Sequence, residues 1–254
     1  MALLETKNVT KTFGGLTAVD GLDLSIDKGE IFGLIGPNGA GKTTVFNLVS
    51  GMLRCTRGKV FYGGEDITGL SMYEIAARGL VRTFQLPTLF TGFTVLKNVL
   101  LGLHLRAEEG FWKCLLNTSS TKRRESEILA RANEILQEVG LAERKDELAS
   151  NLPHGHRRSL QVAISLGCEP GLLLLDEPFT GMNVDEVKGM MGLIKKLKEN
   201  RGITIVIVEH NVKAMMDLCD RIGVLNFGKK IAQGTPTEIS QDEGVIRAYL
   251  GESL

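Results

Sequence analysis

The sequence predicts an α/β fold with a mostly parallel core sheet, an antiparallel β flank and a helical lobe. Three observations carry this expectation. In the second half, the apolar runs LLLL (172–175), ITIVIV (203–208) and RIGVL (221–225) alternate with helix-patterned segments at 184–199 and 212–218. Strands that alternate with helices are joined by crossovers, and crossovers build parallel sheets. At the start, ALLETKNVT and AVDGLDLSI are strand-like runs joined by a glycine-containing turn, which suits an antiparallel pair. Between these two regions the pattern is helical.

Taken in order, IFGLI (31–35) is a short apolar strand followed by a glycine-rich turn and a helix over 42–49. GKVFYGGEDI (58–67) is a further strand–turn segment. Over 124–139, Ile128, Leu129, Ala132, Ile135, Leu136 and Val139 fall on one helical face, and Gly140 suits the stop. The expected organisation is one domain over 1–254. Its core with the β flank comes from 1–85 and 168–254, and its helical lobe from roughly 86–167.

The bulk properties narrow the classes. A chain of 254 residues can bury a real core. Lys+Arg and Asp+Glu both number 30, so no basic excess points to nucleic acid as a partner. Cys55, Cys114, Cys168 and Cys219 are far apart and form no CxxC pair, which suits free thiols in a reducing compartment. The N-terminal run MALLETKNVTKTF has no signal-peptide core, and no apolar run approaches the ~20 residues of a membrane span. An intracellular protein that meets a membrane only through partners is expected.

GPNGAGKTT fits the phosphate-loop pattern G-x-x-x-x-G-K-[ST] between a strand and a helix. Gly36, Pro37, Asn38, Gly39, Ala40, Gly41, Lys42, Thr43 and Thr44 would curl backbone N–H groups around an anion at a helix N-terminus. Lys42 would reach the β- and γ-phosphates, and the Thr43 hydroxyl would ligate Mg²⁺. In LLLLDEPF, Asp176 ends a buried strand where it can hold the Mg²⁺ shell, and Glu177 can act as general base on water. His210 follows the strand ITIVIV on the side where parallel sheets gather ligands. Gln85, in VRTFQLPTLF, is unremarkable by itself.

With these residues in place the chain resembles, end to end, the ATP-binding subunit of an ABC transporter. The resemblance makes Phe13 the aromatic that stacks on adenine and Gly36–Thr44 the Walker A loop. Gln85 becomes the Q-loop glutamine near Mg²⁺ and the membrane subunits. Asp176 becomes the Walker B aspartate, Glu177 the catalytic base and His210 the switch histidine. KTFGGLTAVDGLDLSI, VRTFQLPTLFTGFTVLKNV, the insertion FWKCLLNTSSTKRRESEILARANEILQEVGL and the tail GTPTEISQDEGVIRAYLGE are similar to the ATPases of branched-chain amino acid importers. ATPases of urea and related amide importers share that subgroup. The resemblance implies ATP hydrolysis with ATP and Mg²⁺ as ligands. It also implies a second ATPase subunit, integral membrane permeases and, indirectly, a periplasmic solute-binding protein, with the chain peripheral at the cytoplasmic face of the inner membrane. A lipid or lipopolysaccharide extraction ATPase, or an ABC ATPase outside transport, is the competing class.

One stretch departs from the family. LPHGH (152–156) stands where LSGGQ is usual, the signature that touches ATP bound by the partner subunit. Pro153 brings neither hydroxyl nor N–H, and His154 replaces a glycine and would resist a positive φ. Gly155 is kept and His156 stands for glutamine. The subgroup's LPYGxxRR-like form accounts for Pro153, Gly155, Arg157 and Arg158, though not for the histidines. Two alternatives follow: a weakened signature held by Gly155 and the helix N-terminus, or a pH-sensitive one in which His154 or His156 donates to the γ-phosphate. Either makes the chain half of an asymmetric pair, with a heterodimer expected and a homodimer possible. Ile164 stands where arginine is common. Asn183 stands where a D-loop aspartate is common, and implies altered coupling between the two sites.

Overall fold

The computed structural model describes residues 2–83, 89–106 and 119–250. β1 (Ala2–Phe13), β2 (Leu16–Asp27), β4 (Arg57–Tyr62) and β5 (Glu65–Asp66) form an antiparallel sheet in the order β2-β1-β4-β5. The core sheet takes in β3 (Ile31–Ile35), β6 (Leu80–Arg82), β7 (Leu172–Asp176), β8 (Thr204–Val208), β9 (Arg221–Asn226) and β10 (Lys229–Gly234). Its order is β10-β9-β3-β8-β7-β6, parallel except for the antiparallel β10 edge. The expected mostly parallel core with an antiparallel flank is therefore present.

The apolar strands are buried on both faces, so successive residues enter different cores. Leu173, Leu175, Ile205 and Ile207 pack with α3 (Val95–Arg106), α4 (Ser119–Glu138), α5 (His154–Gly167) and α6 (Val184–Arg201). Leu172, Leu174, Val206 and Val208 face the antiparallel sheet and α1 (Lys42–Val49), whose Val45, Phe46 and Val49 lie in the second core. α2 (Met72–Ala77), α7 (Val212–Leu218), α8 (Pro236–Gln241) and α9 (Glu243–Leu250) complete the described elements. Met215 and Cys219, at the end of α7, press on Gly33 so closely that a Cβ there would lie 2.6 Å from Met215 Cε.

Helix α4 begins at Ser119, earlier than the expected Arg124, because its polar first turns carry no periodic apolar stripe; Gly140 follows its end with φ +73°. Strands β6 and β10 escape sequence patterning because β6 is three residues long and KKIAQG is a polar edge. Cys55, Cys168 and Cys219 are free thiols, and Cys114 lies outside the described residues. Burial, with Asp220 adding repulsion, pushes the Cys219 thiol up to about 12. No described helix is long and apolar enough to cross a membrane.

Candidate nucleotide site

Three neighbouring parallel strands, β3, β8 and β7, end on one side of the sheet. The residues that follow them are Gly36, Glu209–His210 and Glu177. Ligand crevices of open α/β sheets lie at these carboxyl ends.

The loop after β3 depends on two glycines that admit no side chain. At Gly36 (φ +152°) a Cβ would lie 2.1 Å from the Leu225 carbonyl oxygen. At Gly41 (φ +102°), which caps α1, it would lie 2.5 Å from the Ala18 carbonyl oxygen. The loop is therefore wedged between β2 and β9. The Lys42 ammonium, 5% exposed, donates to the carbonyls of Gly36 and Pro37 at 2.5 and 2.8 Å. Asn38 and Gly39 are exposed at the loop's tip, Ala40 is buried, and Thr43 and Thr44 occupy the first turn of α1, Thr43 exposed. Phe13 ends β1 next to the hairpin into β2, is 46% exposed, and carries Lys11 Nζ 4.9 Å from its ring centre. Gln85 lies outside the described residues.

The second half of the site comes from β7 and β8. His210 Nε2 lies 2.9 Å from Glu177 Oε1. The two atoms are within hydrogen-bond distance, and the histidine tautomer sets which of them donates. Thr180 Oγ donates to Glu177 Oε2 at 3.3 Å, and both side chains of the pair stay open to water. The Glu177 backbone sits at φ +48°, a left-handed conformation that costs a non-glycine residue energy, and its N–H is fixed to the Val208 carbonyl at 2.8 Å. Asp176 accepts from Arg82 Nη2 at 2.5 Å through Oδ2.

Sequence reasoning passed over two buried residues here. Glu209, 3% exposed, accepts the Phe179 N–H at 2.6 Å and the His210 N–H at 2.9 Å. It thus ties the segment after Glu177 to the histidine. Arg82 reaches the site from β6. A charged residue beside His210 and an arginine inside an apolar strand were the signals that could have found them.

The LPHGH segment is built differently. Pro153 is the N-cap of α5 and His154 its first residue, so the expected conflict with a positive φ does not arise. Pro153 offers no side-chain cap bond. The exposed His154 ring packs on Gly181, where a Cβ would lie 3.0 Å from Cε1, and Gly155 is buried against Glu186. Arg157 donates to the carbonyls of Leu152 and Ser150 at 2.9 and 2.6 Å, pinning the approach to the helix. Asn183 caps α6 by accepting from the Asp185 and Glu186 N–H groups, both at 3.0 Å. Ile164 is a buried core residue.

Among the described residues no group of three or more His, Cys, Asp or Glu could hold a metal ion. Mg²⁺ is commonly held by one or two protein oxygens with the rest from phosphate and water. Thr43 and Asp176 supply oxygens of this kind.

A glycine-wedged phosphate loop, a carboxylate–histidine pair and this strand order define an ATP-hydrolysing cassette. The chain belongs to the ABC transporter family, whose model matches residues 19–180. Within it, residues 229–254 match the branched-chain amino acid ATP-binding cassette transporter family. The chain is 42% identical over 251 residues to the high-affinity branched-chain amino acid transport ATP-binding protein LivG of Escherichia coli K12, covering 99% of this chain and 98% of LivG. It is 39% identical to BraF of Pseudomonas aeruginosa, which carries the same description, with the same coverage. The lipopolysaccharide export system ATP-binding protein LptB of Escherichia coli K12 is 36% identical over 100% of this chain and 99% of its own length. An ATP-binding cassette of an ABC transporter solved in its ADP conformation superposes with a TM-score of 0.86 at 31% identity, over 99% of both chains.

Proposed function

We propose that this chain hydrolyses ATP through Glu177 and His210 to drive import of branched-chain amino acids by separate membrane permease subunits. ATP-binding subunits of this family dimerise and pair with permeases. The observation that carries the reading is the 2.9 Å Glu177–His210 contact beside the phosphate loop. Glu177 takes the proton of the attacking water. His210 keeps that carboxylate aimed, and Glu209 keeps His210 in place. Lys42, already on the inside of the loop, exchanges its carbonyl partners for phosphate oxygens. Phe13 supplies the face on which adenine stacks. Thr43 and Asp176, with Gln85, would hold Mg²⁺, which when bound neutralises charge on the β- and γ-phosphate oxygens.

The second ATPase of the pair approaches head to tail, so that Gly155 and the α5 N-terminus face the partner's ATP. A heterodimer suits the departures in LPHGH. The chain sits at the cytoplasmic face of the inner membrane through its permeases, and a periplasmic solute-binding protein delivers the substrate. The described residues of roughly 86–167 serve as the helical lobe that presents the signature.

The match over 229–254 supports branched-chain amino acids as substrate, with urea or related amides as the neighbouring class. The likeness to LptB supports lipid export as a second reading. Reconstitution with branched-chain amino acid permease subunits separates them. Leucine-loaded binding protein should stimulate ATP hydrolysis and leucine uptake, both abolished by Glu177→Gln. Stimulation by urea alone, or by lipopolysaccharide alone, would overturn the substrate assignment and leave the ATPase assignment standing.

A further inference from the structure

The geometry points to Arg82 as the positioning residue that registers Asp176 against the phosphate-loop helix, and so fixes the spacing of the two oxygen ligands for Mg²⁺. This rests on Thr43 and Asp176 being those ligands.

The observation is a buried fork. Arg82 is 5% exposed at the end of β6. One arm, Nη2, donates to Asp176 Oδ2 at 2.5 Å. The other, Nη1, donates to Asn47 Oδ1 at 2.6 Å and reaches Ser50 Oγ at 3.5 Å. The guanidinium lies over the Phe46 ring, 5.6 Å from its centre. One side chain therefore bridges the edge strand, the strand that ends in Asp176, and α1.

Helical spacing gives the bridge its meaning. Asn47 is four residues beyond Thr43, so the two share a face of α1 about one turn apart. The chain Thr43–Asn47–Arg82–Asp176 is thus a continuous mechanical link between a hydroxyl and a carboxylate. Among the described residues only Oδ2 of Asp176 is engaged, which leaves Oδ1 for a cation. A guanidinium suits the task because its planar arms hold two oxygens at a fixed separation, whereas an ammonium is a point charge.

Stability alone does not account for such a residue. A buried ion pair recovers little more than the cost of desolvating it, and an apolar replacement is often as stable. Orienting a metal ligand does account for it, since outer-shell partners of metal ligands typically contribute 10- to 100-fold to metal affinity.

The test is equilibrium binding of a fluorescent ATP analogue to the full chain, in EDTA and across a Mg²⁺ titration, with melting temperatures recorded alongside. Arg82→Gln should bind the analogue in EDTA within about twofold of wild type. Its Mg²⁺ midpoint should rise about 10- to 100-fold. Arg82→Lys should recover part of the loss, because it keeps one arm. Should Arg82→Gln fail to fold, Asn47→Ala removes the helix anchor alone and must still raise the midpoint. An unchanged or lowered midpoint in the folded variants overturns the inference. Asp176→Asn separates the two levels. If it shifts the midpoint and Arg82→Gln does not, the positioning role alone falls. If Asp176→Asn leaves the midpoint unchanged, the ligand reading falls with it.

Discussion

The strand ends that hold Lys42, Asp176, Glu177 and His210 and the helix start that holds LPHGH would both meet ATP, but they are built by different rules. At the strand ends, each functional side chain has a bonded partner: carbonyls for Lys42, Arg82 for Asp176, His210 for Glu177. Gly36 and Gly41 of the phosphate loop sit where no Cβ fits. At the start of α5, the side chains of Pro153 and His154 are exposed, and what is fixed is the backbone, held by Arg157 and by the packing of Gly155 on Glu186. In the first region residue identity is the chemistry. In the second, the N–H groups of a helix end can carry much of it, so replacements that still start a helix there are tolerated.

The largest effect should come from the first region. Glu177→Gln keeps the shape and removes the base, so ATP turnover should fall about 10²- to 10⁴-fold with Mg²⁺-ATP binding retained. A turnover within a few-fold of wild type would show that another group takes the proton. Next in size is Lys42→Ala. Losing a charge-assisted phosphate contact should weaken ATP binding about 10- to 100-fold by equilibrium titration. Unchanged affinity in a folded variant would falsify the phosphate-loop assignment.

The second region should respond less. Rebuilding Pro153, His154 and His156 to Ser, Gly and Gln restores a hydroxyl donor and a helix cap. The homodimer's turnover should rise about tenfold if the signature is weakened. If a histidine instead serves the γ-phosphate, the rebuild removes a pH dependence from the rate, and a pH–rate profile tells the two apart. The smallest effect sharpens the comparison from the other side. Glu209→Gln places an amide donor against backbone N–H groups, and should lower kcat a few-fold and the melting temperature by about 3 °C. A normal kcat with the same fall in melting temperature would make Glu209 a structural brace only.

Local patterns were legible in the sequence, and relations between distant strands were not. The phosphate loop, the four leucines of β7 and the bounds of α1 and α7 follow from glycine spacing, apolar runs and helical period. Glu209 and Phe179 are 30 residues apart, and Arg82 and Asp176 are 94 apart. Nothing in either stretch alone says that β6, β7 and α1 converge. The reverse error was made at His154, where comparison with a glycine suggested a strained backbone. The fold instead begins α5 there and makes Pro153 its cap. Asn183 likewise reads as a lost charge in sequence and as the cap of α6 in the structure.

The most direct test of the contrast is the ATPase rate of mixed dimers. The helper chain carries the rebuilt signature together with Lys42→Ala, so it offers a signature while its own site, assayed at ATP well below that variant's Kd, stays largely empty. Alone it should be nearly inactive. Mixed with the wild-type chain, it places a complete signature against the intact Glu177–His210 site. The rate per wild-type chain should then rise several-fold above that of the wild-type homodimer. A rate per wild-type chain that stays level or falls as helper is added would contradict the account, and would show that LPHGH already serves the partner's ATP in full.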